Sequence, residues 1–259
     1  EEQHSTLITS LVDVSKEYIM NEQSIRPAVV NWLGYLAVTL LLILPLSVLM
    51  VRNGDWQQGL LMYAIACLGS TLLIILAIVL LLRTRFNLWR KDILQRALFA
   101  LPGAALLLAL TSGGSYPTIH DITTDTADPP RFTSAASQRG ADSNSLEIDE
   151  EVIQQQQEAY PNLQTLVTPL PIEDAYRLAL KVATDMGWDI YRQDSNAMVI
   201  EAVDTTGIMG FKDDVVVRVR SSARGTLVDL RSVSRVGEGD LGANAARINA
   251  FVNAFQQQE

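Results

Sequence analysis

Cysteine and histidine are scarce in this sequence of 259 residues: Cys67 is the one cysteine, and His4 and His120 are the two histidines. A single cysteine excludes an internal disulfide, so the fold must be held together by its core. Asp121 and Asp125 stand near His120. However, zinc sites need several histidines or cysteines, and calcium loops need alternating oxygen ligands around a glycine turn. The sequence therefore predicts no metal and no cofactor.

Signatures of catalysis are also missing from the sequence. No serine stands in the GxSxG turn of hydrolases, and no cysteine outside the apolar runs is available as a nucleophile. Pairs of carboxylates occur, but 22 acidic residues in residues 112–259 produce such pairs by chance. The sequence predicts a protein that is not an enzyme.

Basic residues are too few in the second half of the chain for a nucleic-acid-binding protein. Residues 1–111 contain 8 basic and 7 acidic residues, whereas residues 112–259 contain 12 basic and 22 acidic residues. Because nucleic-acid binding depends on neutralising phosphates, this acidic half argues against a nucleic-acid partner.

One formal motif points to a nucleotide. Gly237, Gly239 and Gly242 spell GxGxxG between a predicted strand and a predicted helix. A dinucleotide-binding fold needs a second parallel strand and an acidic residue about 20 positions further on, but only 17 residues follow Gly242. Glu238 and Asp240 would also place negative charge beside the pyrophosphate. We therefore expect no nucleotide, and we interpret the glycines as a strand-to-helix corner with Asp240 as the helix cap.

Long apolar runs are the strongest feature that is present. Residues 30–51 and 60–82 are free of formal charge, and each is long enough for a helix of about 33 Å. Residues 93–110 form a shorter third run, with Arg96 near one end. The sequence predicts a three-helix transmembrane anchor over residues 29–111, and hence a lipid bilayer as one partner.

The charges around these runs predict the topology. The basic segment RTRFNLWRK, residues 83–91, separates the second and third runs, whereas the first loop contains only Arg52 against Asp55. Since positively charged loops stay in the cytoplasm, we expect the N-terminus inside and the chain after residue 110 outside. The runs contain no Asp, Glu, Lys or His, so a pump or transporter is not predicted.

Small residues recur four positions apart within the runs, which lets helices approach closely. Such packing serves either the anchor itself or spans of another protein, and both interpretations stay open. The pairs are Ala66 with Ser70, Ala100 with Ala104, and Ala105 with Ala109.

The first 28 residues have their own pattern. Residues 5–20 place apolar side chains on one stripe and charged side chains on the other, which predicts an amphipathic cytoplasmic helix. The helix either docks on a partner or lies on the membrane or its own bundle.

The chain after the anchor predicts an α+β fold. Residues 112–160 read as an extended segment followed by a polar linker at 133–158, and residues 161–259 read as a compact domain. The overall fold class is three transmembrane helices followed by an antiparallel four-stranded sheet with two helices. The predicted domain elements are a helix at 171–186, strands at 188–193, 197–204, 214–221 and 226–235, and a helix at 241–256.

Two stretches resemble a known family. They are IHDITTDTADPPRF at residues 119–132 and RSVSRVGEGDLGANAARI at residues 231–248, and they are similar to the bacterial family called domain of unknown function 1499. The similarity covers about residues 117–256. Because that family has no established activity, the resemblance implies a domain and not a reaction. The motif residues that it implies here are Asp121, Asp125, Pro129, Pro130, Arg131, Arg231, Ser232, Arg235, Gly237, Asp240, Gly242, Asn244 and Arg247.

Arginines supply the candidate site. Strand alternation predicts that Arg218, Arg220, Arg231 and Arg235 share one side of the sheet. Arg131 and Arg247 are predicted to approach them from the Pro129–Pro130 segment and the last helix. Two interpretations stay open: the arginines recognise an anion or a partner carboxylate, or they pair with Asp121, Asp125, Asp229 and Asp240.

Two functions are compatible with these observations. The first is a non-enzymatic accessory or scaffold subunit of the bacterial inner membrane, whose periplasmic domain and spans contact integral membrane proteins. The alternative is a periplasmic module that binds a lipid headgroup, a cell-wall fragment or a small anion.

Overall fold

The computed structural model describes residues 26–114 and 116–259 of the chain. The chain divides into two compact units, Glu1–Gly113 and Gly114–Glu259. The amphipathic helix predicted for residues 5–20 lies outside the described residues.

The first unit contains three helical stretches that are long and apolar enough to cross a membrane, which suggests membrane association. A proline divides the third of them: Pro102 has no N–H, and its ring crowds the carbonyl four residues earlier, so a 3₁₀ turn interrupts the helix there. The elements are α1 (Ala28–Arg52), α2 (Trp56–Leu82), a 3₁₀-helix (Thr84–Trp89), α3 (Arg90–Ala97), the 3₁₀ turn (Leu98–Ala100) and α4 (Leu101–Ser112).

Small residues bring α2 and α4 together. Gly103 lies so close to Ser70 that a side chain at Gly103 would collide with the Ser70 hydroxyl. Ala66 is buried beside them. The Ala66 and Ser70 pair therefore packs within the anchor, whereas Ala105 and Ala109 are exposed.

The second unit is an antiparallel sheet with the order β1-β6-β5-β4-β3, in which β2 also pairs with β6. Because Val217, Val219 and Leu230 alternate with polar residues, one face of β5 and β6 is apolar, and two helices cover it. Trp188 stacks on Phe251 of the last helix, with ring centroids 5.4 Å apart. The elements are β1 (Asp121–Thr123), a 3₁₀-helix (Ala135–Gln138), α5 (Glu150–Ala159), β2 (Leu166–Thr168), α6 (Ile172–Asp185), β3 (Asp189–Asp194), β4 (Val199–Thr205), β5 (Lys212–Ser222), β6 (Gly225–Ser234) and α7 (Ala243–Gln258).

The α+β prediction is confirmed, and two of its details change. The short strands β1 and β2 extend the predicted four-stranded sheet to six strands. In addition, α5 lies inside the predicted linker. The Gln156 side chain of α5 is buried and exchanges hydrogen bonds of 2.9 and 2.6 Å with the backbone N–H and C=O of Thr123. Gln156 thus occupies a buried position of the kind that an apolar residue usually fills. The polar composition of residues 133–158 does not predict this burial.

Candidate functional site

The sheet face opposite α6 and α7 carries charged side chains. Strand alternation places Arg218 on β5 beside Asp229 on β6, and Arg231 lies on the same face. Residues 121–148 cover this face, so Asp229 is fully buried and Arg231 is 1 % exposed. Charges buried in this way require partners.

Two arginines of β5 share two aspartates. Arg220 Nε donates to Asp229 Oδ2 at 2.7 Å, and its Nη2 donates to Asp125 Oδ2 at 2.8 Å. Arg218 Nη2 donates to the same Asp229 oxygen at 3.0 Å and to Asp125 Oδ2 at 3.3 Å. Its Nη1 also donates to a third aspartate, Asp128, at 2.9 Å. The hydrogen bond to Asp229 raises the pKa of Arg220. These ion pairs hold the segment around Asp125 on the sheet.

Arg231 holds the start of the same segment. Its Nε and Nη2 donate to the two carboxylate oxygens of Asp121 at 2.9 and 2.6 Å. Nη2 also donates to the Leu146 carbonyl at 3.0 Å. The guanidinium carbon lies 5.5 Å from the centre of the Phe132 ring. One buried arginine therefore connects three parts of residues 121–148 to β6.

Asp214, at the other end of this face, forms ion pairs with two arginines. Arg235 binds it through two hydrogen bonds of 3.0 and 2.8 Å. Arg139 Nε lies 3.2 Å from Asp214 Oδ2, and the Arg139 side chain is 4 % exposed. Its Nε, Nη1 and Nη2 are all buried without a hydrogen-bond partner among the described residues, so its contact with Asp214 is an ion pair without a hydrogen bond. Burial lowers the pKa of Arg139. Sequence reasoning missed Arg139 because no periodic pattern surrounds it.

Glu201 of β4 is a second buried charge that sequence reasoning missed. Its carboxylate is fully buried and accepts hydrogen bonds from the backbone N–H groups of Thr133, Ser134 and Ala135 at 2.9 to 3.2 Å. Arg192 Nη1 also donates to it at 2.9 Å. Glu201 therefore orders a loop that its composition alone predicts to be mobile.

Burial also changes Tyr191 on β3. Its hydroxyl lies 3.4 Å from Glu201 Oε2. Burial first, and then the nearby carboxylates of Asp214 and Glu201, raise the pKa of Tyr191 above its ordinary value. The phenol is therefore held in its neutral form.

Arg247 lies on the opposite, helix-covered face, so it does not join the other arginines. Its Nε and Nη2 donate to Asp204 and Asp213, both at 2.5 Å. Its Nη1 donates to Ser232 Oγ and Asn244 Oδ1 at 3.0 and 2.6 Å. This cluster connects α7 to the ends of β4, β5 and β6.

The last helix begins at Ala243 with Gly242 as its N-cap, so Asp240 is not the N-cap residue that the sequence predicts, although its side chain does bind the start of the helix. The Asp240 carboxylate accepts hydrogen bonds from the backbone N–H groups of Gly242 and Asn244, both at 2.8 Å. Gly237 and Gly242 have φ angles of +91° and +82°, which favour glycine. A Cβ atom at Gly242 would lie 2.7 Å from the Tyr116 ring.

The segment around Arg131 lies on the arginine face, since Arg231 contacts the Pro130 carbonyl and the Phe132 ring, but the Arg131 side chain does not join the other arginines. It is exposed, and no hydrogen bond or ion pair joins its side chain to any residue that the structure describes. Pro129 and Pro130, which precede it, are buried. Four of the six predicted arginines therefore share one face of the sheet, and the side chains of Arg131 and Arg247 do not join them.

Two shallow grooves of about 370 Å³ each share Thr124, Thr126 and Gln164, and the first of them lies beside the turn between β5 and β6. Arg220 and Arg224 line the first groove. The Arg220 side chain is 39 % exposed despite its ion pairs, and Arg224 is exposed. Asp125 also lines this groove, so a binding partner can reach charged groups of both signs there.

Within residues 26–114 and 116–259, no group of three or more His, Cys, Asp or Glu is placed to hold a metal ion. Residues 121–255, more than half of the chain, match a family model described as Protein of unknown function (DUF1499). The match confirms the resemblance seen at residues 119–132 and 231–248. No curated protein matches the chain.

Proposed function

The chain belongs to the family described as Protein of unknown function (DUF1499), and we propose that it is a non-enzymatic accessory subunit of a membrane complex. Its C-terminal domain and its apolar helices contact partner proteins. In this arrangement the N-terminus lies in the bacterial cytoplasm and the C-terminal domain lies in the periplasm. The basic segment at residues 83–91 supports this orientation.

The observation that carries the proposal is the groove lined by Arg220 and Arg224. Arg231, Arg235 and Arg247 are held in ion pairs and are at most 13 % exposed at their side chains, so their guanidinium groups serve the fold. Arg220 also pairs with Asp229 and Asp125, but its side chain remains 39 % exposed, and Arg224 is exposed. Planar guanidinium groups favour carboxylates. We therefore propose that the groove binds an acidic segment of a partner protein.

The anchor supports contact with a second integral membrane protein. Ala105 and Ala109 are exposed one turn apart on α4, and small residues at this spacing allow close approach of another helix. The Ala66 and Ser70 pair is already buried within the anchor.

Site-specific photocrosslinking in intact cells tests the proposal. A photoreactive amino acid at Gln164, in the groove, is expected to form an adduct of defined mass with one protein. The matched control is the exposed Asn249 on α7, which should form none. Arg224→Glu should reduce the adduct at Gln164, since like charges repel. Equal adducts at both positions, or none at Gln164, would contradict a partner in the groove.

A small anion is the second candidate for the same groove, and the two guanidinium groups that line it favour this ligand. Titration calorimetry of the detergent-solubilised chain with inorganic phosphate tests it. Heat that disappears in Arg224→Gln would favour the anion, whereas no heat together with the Gln164 adduct would favour the protein partner.

A further inference from the structure

Three segments meet at the end of the sheet where the chain comes into the second unit. The loop at 206–211 joins β4 to β5, and Arg235 at the end of β6 donates its N–H to the Lys212 carbonyl at 3.0 Å. The incoming segment packs on the next loop, because the Asp240 N–H donates to the Ile119 carbonyl at 3.2 Å. Residues 116–120, 206–211 and 235–242 therefore form one surface, which we call the proximal end.

Large apolar side chains are exposed at this proximal end. Ile208 is 71 % exposed, Leu241 is 69 % exposed and Tyr116 is 45 % exposed. Among the described residues 116–259, the one other exposed large apolar residue is Val167, on the short strand β2. The exposed apolar side chains of the second unit are thus concentrated at the proximal end, and a concentrated apolar patch is typical of an interaction surface.

Leu241 also adopts an unusual backbone conformation. Its φ angle is +52°, a left-handed conformation that crowds the Cβ atom of any residue except glycine. Leu241 lies within the corner that the Asp240 carboxylate binds, and its side chain is 69 % exposed. Strained backbone of this kind is found at functional sites.

Few residues of sequence separate the third apolar stretch from the proximal end. The third apolar stretch ends at Ser112, and Tyr116 already packs against Gly242. Four residues of extended chain span at most about 14 Å. If the third stretch crosses a bilayer, Tyr116 therefore follows the end of that span by only four residues.

We propose that the proximal end binds the bilayer surface, with Ile208 and Leu241 inserted among the lipids and Tyr116 at the headgroup level. Tyrosine favours the headgroup level because its ring is apolar and its hydroxyl is polar, and aliphatic side chains gain free energy when they leave water for the lipid tails. The contact is apolar rather than electrostatic, because the exposed Glu238 in the same loop would be repelled by anionic headgroups. Zwitterionic lipid is therefore sufficient. This inference does not depend on the groove, which lies at the opposite, β5–β6 turn end of the sheet.

Fluorescence of the full chain in phosphatidylcholine vesicles tests this contact. In a Cys67→Ala background, a polarity-sensitive fluorophore is attached at Ile208→Cys or Leu241→Cys. The matched control is Ala223→Cys, in the exposed turn between β5 and β6. We expect a blue shift, loss of quenching by aqueous iodide and gain of quenching by nitroxide-labelled lipid at the first two positions only. Emission and quenching equal to those at Ala223 would overturn the proposal.

A second measurement needs no substitution and therefore does not depend on how the variants fold. Vesicles containing diazirine-labelled phosphatidylcholine are photolysed with the unaltered chain, and peptides are analysed by mass. Lipid adducts on residues 206–211 and 236–242, without adducts on residues 222–226, are expected. Adducts confined to residues 26–112 would overturn the contact.

Discussion

The guanidinium of Arg231 faces the carboxylate of Asp121 through two hydrogen bonds of 2.9 and 2.6 Å, across a sequence separation of 110 residues. Lysine keeps the charge but cannot form both bonds. Arg231→Lys should therefore lower the free energy of unfolding of the second unit by about 2 kcal/mol, measured in the full chain by hydrogen exchange of the β6 amides. Arg177→Lys is the matched control, because Arg177 pairs with Asp174 on the exposed surface of α6. It should change stability by less than about 0.5 kcal/mol. Equal effects would contradict a structural role for the buried pair.

Glu201 orders residues 133–135 by accepting their backbone N–H groups. In Glu201→Gln the amide nitrogen would face these donors, so we expect a loss of about 2 kcal/mol and faster hydrogen exchange at Ser134 and Ala135. Glu173→Gln, on the exposed first turn of α6, is the control and should leave these amides protected. Unchanged exchange in Glu201→Gln would show that the loop is ordered by other contacts.

Gly242 combines a φ angle of +82° with close contact to Tyr116. Gly242→Ala should destabilise the corner by about 1–3 kcal/mol, since it adds both backbone strain and a collision. The control is Gly140→Ala, where a Cβ atom would meet nothing within 4 Å. Thermal unfolding followed by near-ultraviolet circular dichroism compares the two. The account of this corner fails if the two variants melt alike.

The raised pKa of Tyr191 has a consequence for alkaline stability. Because burial and the nearby Asp214 and Glu201 hold the phenol protonated in the folded state, its contribution to stability is fully present below the unfolded pKa of about 10. That contribution decreases as the pH rises above this value, by up to about 1.4 kcal/mol per pH unit. Tyr191→Phe should make the alkaline loss of stability less steep between about pH 10 and pH 11.5. A curve of unchanged slope would contradict the prediction.

The periodic parts of the chain could be predicted from the sequence. The alternation of valine with arginine in β5 and of leucine with charged residues in β6 indicates both the strands and the face that carries Arg218 and Arg231. Periodicity reports which side of an element a residue occupies, and this information is local. This local information is sufficient to predict the α+β class and the sheet face that carries four of the six arginines.

The partners of these charges could not be predicted, since they lie far along the chain and in segments without periodicity. Glu201 bonds to backbone groups 66 to 68 residues away, and any loop has such groups. Arg139 and Gln156 are polar residues in a polar stretch, so their burial leaves no trace in the composition. The prediction that Arg247 approaches the other arginines is wrong, because the sequence does not show which face of the sheet the last helix covers.

Mass determination of the complex extracted in mild detergent tests most directly the claim that the domain contacts a partner protein through its groove. The wild-type chain is expected in a discrete stoichiometric complex, and Arg224→Glu is expected to release it as the chain alone. The matched control Arg177→Glu, on the exposed surface of α6, should leave the complex intact. A wild-type chain that is extracted alone, with or without a bound small molecule, would contradict the account.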